Sequence, residues 1–308
     1  MRSPRHSTRQ LGVSDVSAVV VSFNSRDVLE PCLTSLGGSV SETIVVDNAS
    51  SDGSAAVVRE RFPEVSVIAF DVNRGYGAAA NEGLSRATTD YVLLVNADIR
   101  AEPGAVAELL ACAAAAPQAA ALGPQLVGTD GSLHISVVRF PTILWRGRPA
   151  VSSTKAELRG ATPPRSRRGV FLVGAVLLLR RDIVLEIGAF DPAFFMYSED
   201  IDLCYRLTRS GWSIEHCSRS RFVHIGGAST RVDRPRLYRE QLRSHLRFVR
   251  KHHGRIAAAT AHLSLVVALA ARSVLDRRDA GDPRAALRWL MTSRTQSLLG
   301  ETATERKR

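Results

Sequence analysis

The sequence predicts an α/β chain with a doubly wound, mostly parallel sheet and a helical C-terminal extension. Three observations lead there. Short apolar runs alternate with helix-patterned segments through the first half of the chain. The runs are almost continuously apolar, as strands covered on both faces are. From Arg236 onward the strand pattern stops and helical periodicity takes over.

Val16 to Phe23 is the first buried strand, followed by a helix over Val28 to Leu36 that Gly37 and Gly38 end. Thr43 to Val46 is the second strand. Asp52-Gly53 opens a helix that runs to Phe62 and stops at Pro63. Val65 to Phe70 is the third strand, Ala78 to Ala87 a helix, and Tyr91 to Val95 the fourth strand. Pro103 stands where a first helical position is expected, and an Ala-rich helix runs on to about Ala116. Gly123 to Phe140 reads as short strands and turns, and Arg146 to Gly169 as a mobile Pro-, Arg- and Ser-rich loop. Val170 to Leu179 is one more buried strand. A helix spans Ser198 to Ser210, and a strand over Ser213 to Val223 leads into His224 and the pair Gly226-Gly227. No internal repeat is present.

The 308 residues carry a formal charge of +11. That favours an anionic partner: nucleic acid, anionic lipid or a phosphate-bearing substrate. Genomic base composition can also enrich Arg without any such partner. Only 6% of the residues are aromatic, which argues against a nucleic-acid module. The four cysteines form no CxxC pair, so free buried thiols in a reducing compartment are expected. Met1 to Ser14 is polar and basic and lacks the apolar stretch of a signal peptide; it reads as a frayed tail.

In doubly wound sheets ligands bind beyond the carboxyl ends of the strands. Here every such end is polar. Ser22, Asn24 and Ser25 follow the first strand, and Asp47-Asn48-Ala49-Ser50-Ser51-Asp52-Gly53 the second. Asn73-Arg74-Gly75-Tyr76-Gly77 and Asn81 follow the third, and Asn96-Ala97-Asp98 the fourth. An Asp at such a place is also an ordinary helix cap, the simpler reading for Asp52. Asp47 precedes the cap and is available to a base or ribose. Gly75 and Gly77 open either a tight turn or a phosphate-proximal loop. They follow the third strand rather than the first, so they are not a dinucleotide fingerprint, and a nicotinamide oxidoreductase is disfavoured. Asp98 can bind a divalent cation that bridges a diphosphate. Glu199, Asp200 and Asp202 open a helix. They either complement its dipole or do chemistry beside the aromatic run Phe194 to Tyr197. His224, at a strand end, is a metal or phosphate ligand or a structural histidine.

Taken in order, these segments resemble the inverting family 2 glycosyltransferases of GT-A fold, in particular their rhamnosyltransferase-like branch. The matching stretches are Val19 to Asn24, Val46 to Ser54, Asn73 to Gly77, Asn81, Leu94 to Asp98, Phe190-Asp191, Tyr197 to Leu203 and His224 to Gly227. The resemblance covers about Val16 to Thr230. It implies a GT-A catalytic domain over 15–232, with a donor half to about 125 and an acceptor half from 126. A tail (1–14) precedes it and a basic helical extension (233–308) follows it.

The resemblance also implies roles. Ser22, Asn24, Asp47, Asn48, Asn73, Gly75, Gly77, Asn81, Asn96 and Asp98 would line the donor, with Asp47 on the base. Asp98 and His224 would hold Mg²⁺ or Mn²⁺ on the diphosphate. Asp200 would be the general base, with Gly174, Glu199 and Asp202 around the acceptor. The family's usual Asp-x-Asp is Asn96-Ala97-Asp98 here, one carboxylate fewer, which throws weight onto His224. The implied reaction is transfer of a sugar, rhamnose from deoxythymidine-diphosphate-rhamnose, to a hydroxyl of a glycan or polyprenyl-diphosphate-linked acceptor in cell-envelope synthesis. A galactofuranosyl or other hexosyl donor is the alternative.

The extension begins as a basic amphipathic helix. Arg239, Arg243, Arg247, Arg250 and Lys251 alternate with Leu242, Leu246 and Val249. Ile256 to Leu275 is apolar but interrupted by His262, Ser264 and Arg272. It lies in a membrane interface, packs on the catalytic domain, or spans a bilayer. Asp282-Pro283 caps a last helix to about Leu299. The expectation is a cytoplasmic protein, peripheral on an anionic membrane surface.

Overall fold

The structure is a computed structural model that describes residues 11–141, 169–225, 234–275 and 283–292. In chain order the elements are β1 (Val16–Ser22), α1 (Arg26–Leu36), β2 (Glu42–Asp47), α2 (Ser54–Arg61), β3 (Ser66–Ala69) and α3 (Tyr76–Arg86). Then come β4 (Tyr91–Asn96), β5 (Ile99–Ala101), α4 (Ala105–Ala115), β6 (Ala119–Val127) and β7 (Val137–Arg139). They are followed by β8 (Val170–Leu172), β9 (Val176–Arg180), α5 (Arg181–Glu186), α6 (Glu199–Arg209), β10 (Ser213–His224), α7 (Arg234–Leu275) and α8 (Pro283–Thr292).

One eight-stranded sheet carries the fold, in the order β3-β2-β1-β4-β9-β6-β10-β5. Strands β1 to β4 pair in parallel, as do β6 and β10; β9 and β5 run against their neighbours. The alternation of strand side chains divides the core in two. Val19, Val21, Val92 and Leu94 face one layer with α3, α6 and the first half of α7. Val16, Ala18, Val20 and Leu93 face the other, with α1, α2 and α4. Every residue of β1 is buried, which explains its unbroken apolar run.

Some expectations need correction. The run Val170 to Leu179 is not one strand. It breaks at Val173–Ala175, β8 pairing with β7 in a small separate sheet and β9 entering the large one. Gly123 to Phe140 holds short strands and turns as expected, but the strand that opens it, β6, begins earlier, at Ala119. Helix α4 begins after a left-handed Gly104, so Pro103 lies just outside it. Val13–Asp15 forms a 3₁₀ turn in what reads as a tail. Cys112 and Cys217 are bridged, their Cα atoms 6.1 Å apart, because α4 packs across β10. Cys32 and Cys204 are free and buried, as expected, and burial pushes both thiols up to about 12. Arg146 to Arg168, read above as a loop, together with Gly226-Gly227 and 293–299, lies outside the described residues.

Candidate active site

The register of the sheet builds one polar rim. Ser22 stands beside Asp47, and Val21 beside Asn96, at the carboxyl ends of β1, β2 and β4. Asp98 follows β4 directly. Strand β10 runs against β5 and sets His224 opposite Ile99, while the Ile225 N–H donates to the Asp98 carbonyl at 3.0 Å. His224 Nε2 therefore lies 3.4 Å from Asp98 Oδ2.

The reversed strand β9 brings the acid helix to the same rim. It starts where β4 ends, and the Asn96 N–H donates to the Ala175 carbonyl at 3.0 Å. The neighbouring Gly174 N–H donates to Asp200 Oδ2 at 2.9 Å. A Cβ on Gly174 would stand 3.0 Å from Asp200 Cβ, so only glycine lets α6 come this close. The Tyr76 hydroxyl donates to the Gly174 carbonyl at 3.0 Å. Burial pushes this phenol well above its usual range, and the carboxylates of Glu199, Asp200 and Asp98 push it further. Tyr76 thus stands among acids from both sides of the rim. Nothing in the sequence marked it except its place between Gly75 and Gly77.

The amides of the N-terminal half are largely occupied. Asn48 Nδ2 donates to the Gly75 carbonyl at 3.1 Å, and its Oδ1 accepts the Arg74 N–H at 2.8 Å. Asn73 Oδ1 accepts the Gly75 N–H at 2.9 Å, and Asn24 Oδ1 the Ser51 N–H at 2.8 Å. Asn81 holds the Phe190 backbone from both ends, at 2.7 and 2.9 Å. Asp47 accepts the Ser50 N–H at 2.9 Å. Asp52 ties the starts of α1 and α2 through the N–H groups of Arg26 and Ser54, a cap as the simpler reading had it. Gly75 does not open onto a free loop. An added Cβ would lie 2.4 Å from the Phe195 carbonyl oxygen, so the glycine marks close packing between the two halves. Gly77 likewise lies against Phe190, 3.1 Å from where its Cβ would be.

The family model of glycosyl transferase family 2 matches residues 17–184, and that of glycosyl transferase family group 2 matches 150–298. The chain is a family 2 glycosyltransferase. It is 31% identical over 244 residues to an N-acetylglucosaminyl-diphospho-decaprenol L-rhamnosyltransferase of Mycobacterium tuberculosis, covering 72% of this chain and 80% of that one. A low-salt glycan biosynthesis hexosyltransferase, Agl10 of Haloferax volcanii, is 24% identical over 70% of this chain and 69% of its own. Among solved structures, the mannosyltransferase PcManGT of Pyrobaculum calidifontis, in complex with GDP-Man and Mn²⁺, superposes with a TM-score of 0.54 at 18% identity. That match covers 89% of this chain and 78% of the other. GalNAc-T7 with UDP, GalNAc and Mn²⁺ gives 0.58 at 17% identity, over 76% and 48%. The GT-A fold is thereby the fold of this transferase, a nucleotide-sugar-dependent enzyme.

Within the transferase, three buried oxygens at the rim have no hydrogen-bond partner among the described residues: Ser22 Oγ, Asn96 Oδ1 and Glu199 Oε2. Buried polar atoms are rarely left so. Burial raises the Glu199 carboxyl well above its usual range, with the Asp200 charge adding to it. Asp200 is also raised by burial, against the opposing N–H groups of Gly174 and Ile201. A helix N-terminus favours the ionised carboxylate; here desolvation outweighs it.

Asp202 is placed elsewhere than the acceptor side where it was expected. It is fully buried against α7, held by Arg206 Nε, Lys251 Nζ and His252 Nε2, each at 2.7 Å. Burial alone would raise its carboxyl, but the bonds from His252 and Lys251 and the Arg206 charge bring it down to about 2. Lys251 also binds Asp191 at 2.7 Å, so its ammonium is shared between two carboxylates.

Proposed function

We propose that this transferase moves an L-rhamnosyl residue from deoxythymidine-diphosphate-rhamnose to a hydroxyl of a polyprenyl-diphosphate-linked N-acetylglucosamine, with inversion. The sugar and the acceptor come from the mycobacterial relative's name. The observation that carries the chemistry is the juxtaposition at one rim of the Asp98–His224 pair and the Tyr76–Gly174–Asp200 chain.

Asp200 takes the proton of the acceptor hydroxyl. The freed oxygen attacks the anomeric carbon from the face opposite the diphosphate, and the bond to the diphosphate breaks with its electron pair leaving on phosphate. A carboxylate raised by burial is a stronger base than one in water, which suits this step. Gly174 and Ile201 hold the two Asp200 oxygens, fixing the direction of the proton transfer. Ser22, Asp47 and Asn96 lie at the donor end of the rim.

The residues present fit a divalent cation. Asp98 and the unpartnered Asn96 Oδ1 offer hard oxygens, and His224 a nitrogen beside them. The described residues contain no cluster of three or more acidic, His or Cys ligands. One carboxylate with a neighbouring amide oxygen suits Mg²⁺ or Mn²⁺, which take one or two carboxylates and complete their shell with substrate phosphates. Bound there, the ion would neutralise charge on the departing diphosphate.

The extension supports work at an anionic membrane surface. Helix α7 kinks at Gly254, whose φ is +86°. Beyond the kink Ala258, Ala261, Leu265 and Leu269 are fully buried, while Ile256, Leu263 and Val267 are 87%, 63% and 60% exposed. The helix is long and apolar enough to cross a membrane by length and composition. Its one-sided packing favours lying in the interface instead. The thiol argument for a reducing compartment weakens with the Cys112–Cys217 bridge.

A thermal-shift panel of nucleoside diphosphates, with and without Mn²⁺, tests the donor assignment. Deoxythymidine diphosphate should stabilise the protein selectively and only with the metal. Selective stabilisation by another nucleotide would overturn the donor; metal-independent stabilisation would overturn the role of Asp98 and His224.

A further inference from the structure

Between β8, α6 and α7 lies a cavity of about 90 Å³. Phe171, Val173 and Ile201 give it apolar lining, and Glu199, Gln241 and His245 give it polar groups. Asp200 lines the same cavity, so its occupant sits beside the proton acceptor. The volume matches roughly three waters at ~30 Å³ each. It excludes a sugar ring and admits a substituent of one.

The lining narrows which substituent. Glu199 is buried, and one of its carboxyl oxygens has no partner among the described residues. Its raised carboxyl favours the protonated form, and burial lowers His245 to about 4, leaving that ring neutral. Gln241 offers an amide, a donor and an acceptor together. A cavity with the Asp200 carboxyl on its wall and no cation in its lining, polar in one part and apolar in another, does not suit a phosphate or carboxylate. A hydroxyl would leave the apolar part bare. An acetamido group matches both parts: a methyl for Phe171, Val173 and Ile201, and a C=O and N–H for Glu199 and Gln241.

We infer that this cavity is the subsite for the acetamido group of the acceptor sugar, and that Glu199 and Gln241 select for it. The inference rests on the lipid-linked N-acetylglucosamine reading above. It also makes the C-terminal extension part of the acceptor site. Gln241 and His245 belong to α7, which the Ser244 hydroxyl pins to the Met196 carbonyl at 2.9 Å, just before α6.

The test compares two prenyl-diphosphate acceptors, one bearing N-acetylglucosamine and one bearing glucose, with the full chain and its Glu199→Gln and Gln241→Leu variants. The wild type should favour the N-acetylated acceptor on the order of 100-fold in kcat/KM. Both variants should bring that ratio to within a few-fold, through acceptor KM, with donor KM unchanged. Equal use of both acceptors by the wild type, or a ratio that survives both variants, overturns the inference and leaves the transfer reading standing. Saturation-transfer NMR with methyl N-acetylglucosaminide, in the presence of deoxythymidine diphosphate and Mn²⁺, separates the two. Strong saturation of the acetamido methyl, lost in Gln241→Leu, supports the subsite even if neither lipid acceptor is used, in which case the lipid-linked reading falls. No saturation of that methyl overturns the subsite.

Discussion

Two faces of α6 treat carboxylates in opposite ways. Toward the cleft, the buried Glu199 and the half-buried Asp200 have few partners, and desolvation raises both. Toward α7, Asp202 is buried against Arg206, Lys251 and His252 and lowered to about 2. Burial is common to all three; the difference is what the fold supplies in return. Full compensation makes a structural clamp. Partial compensation leaves a group ready for a substrate, at some cost in stability. The donor half repeats the contrast: Asn48 and Asn81 use both ends of their amides on backbone, while Ser22 and Asn96 keep an unpartnered oxygen.

Substitutions can break or sharpen this contrast. The largest stability effect is expected from Asp202→Asn, which removes the buried carboxylate that Arg206, Lys251 and His252 share and should cost about 3 kcal/mol, read by denaturant unfolding. The contribution has a definite sign in pH. A lowered carboxyl stabilises above its unfolded value of ~3.9 and loses this as the pH falls toward about 2. The acid-unfolding slope in that window should flatten in the variant. Asn81→Ala should cost about 2 kcal/mol, because it strands the N–H and C=O of Phe190. Unchanged stability there would erase the distinction between structural and functional amides.

The smallest effect is expected at Glu199. A raised carboxyl stabilises fully below its unfolded value, and that contribution is lost as the pH rises through the folded one. Glu199→Gln should therefore stay within about 1 kcal/mol of the wild type at acid pH and lack its decline toward alkaline pH. Melting curves from pH 5 to 9 check this. A variant destabilised at every pH would place Glu199 with Asp202 as a structural acid.

Much of this was legible in the sequence, and the limits have physical causes. The four leading strands and their polar ends could be read because local patterning fixes buried parallel strands. Asp98, Asp200 and His224 were singled out for the same reason, each standing at an element's end. The break at Val173–Ala175 was hidden in a continuous apolar run, because sheet assignment depends on distant partners such as Ala121 and Leu94. The Cys112–Cys217 bridge spans 105 residues and has no local signature. The Asp202 clamp depends on Lys251 and His252, which lie 49 and 50 positions further on. Tyr76, Gln241 and His245 were missed because only tertiary packing brings them to the acids.

The central claim is that Asp200 is the base in a site whose donor half stands on its own. Its most direct test is one paired measurement on Asp200→Asn: sugar transfer to the lipid-linked acceptor, and Mn²⁺-dependent binding of the nucleoside diphosphate. Turnover should fall on the order of 10³-fold while nucleotide affinity stays at the wild-type value. Near-wild-type turnover, or loss of both together, would contradict it.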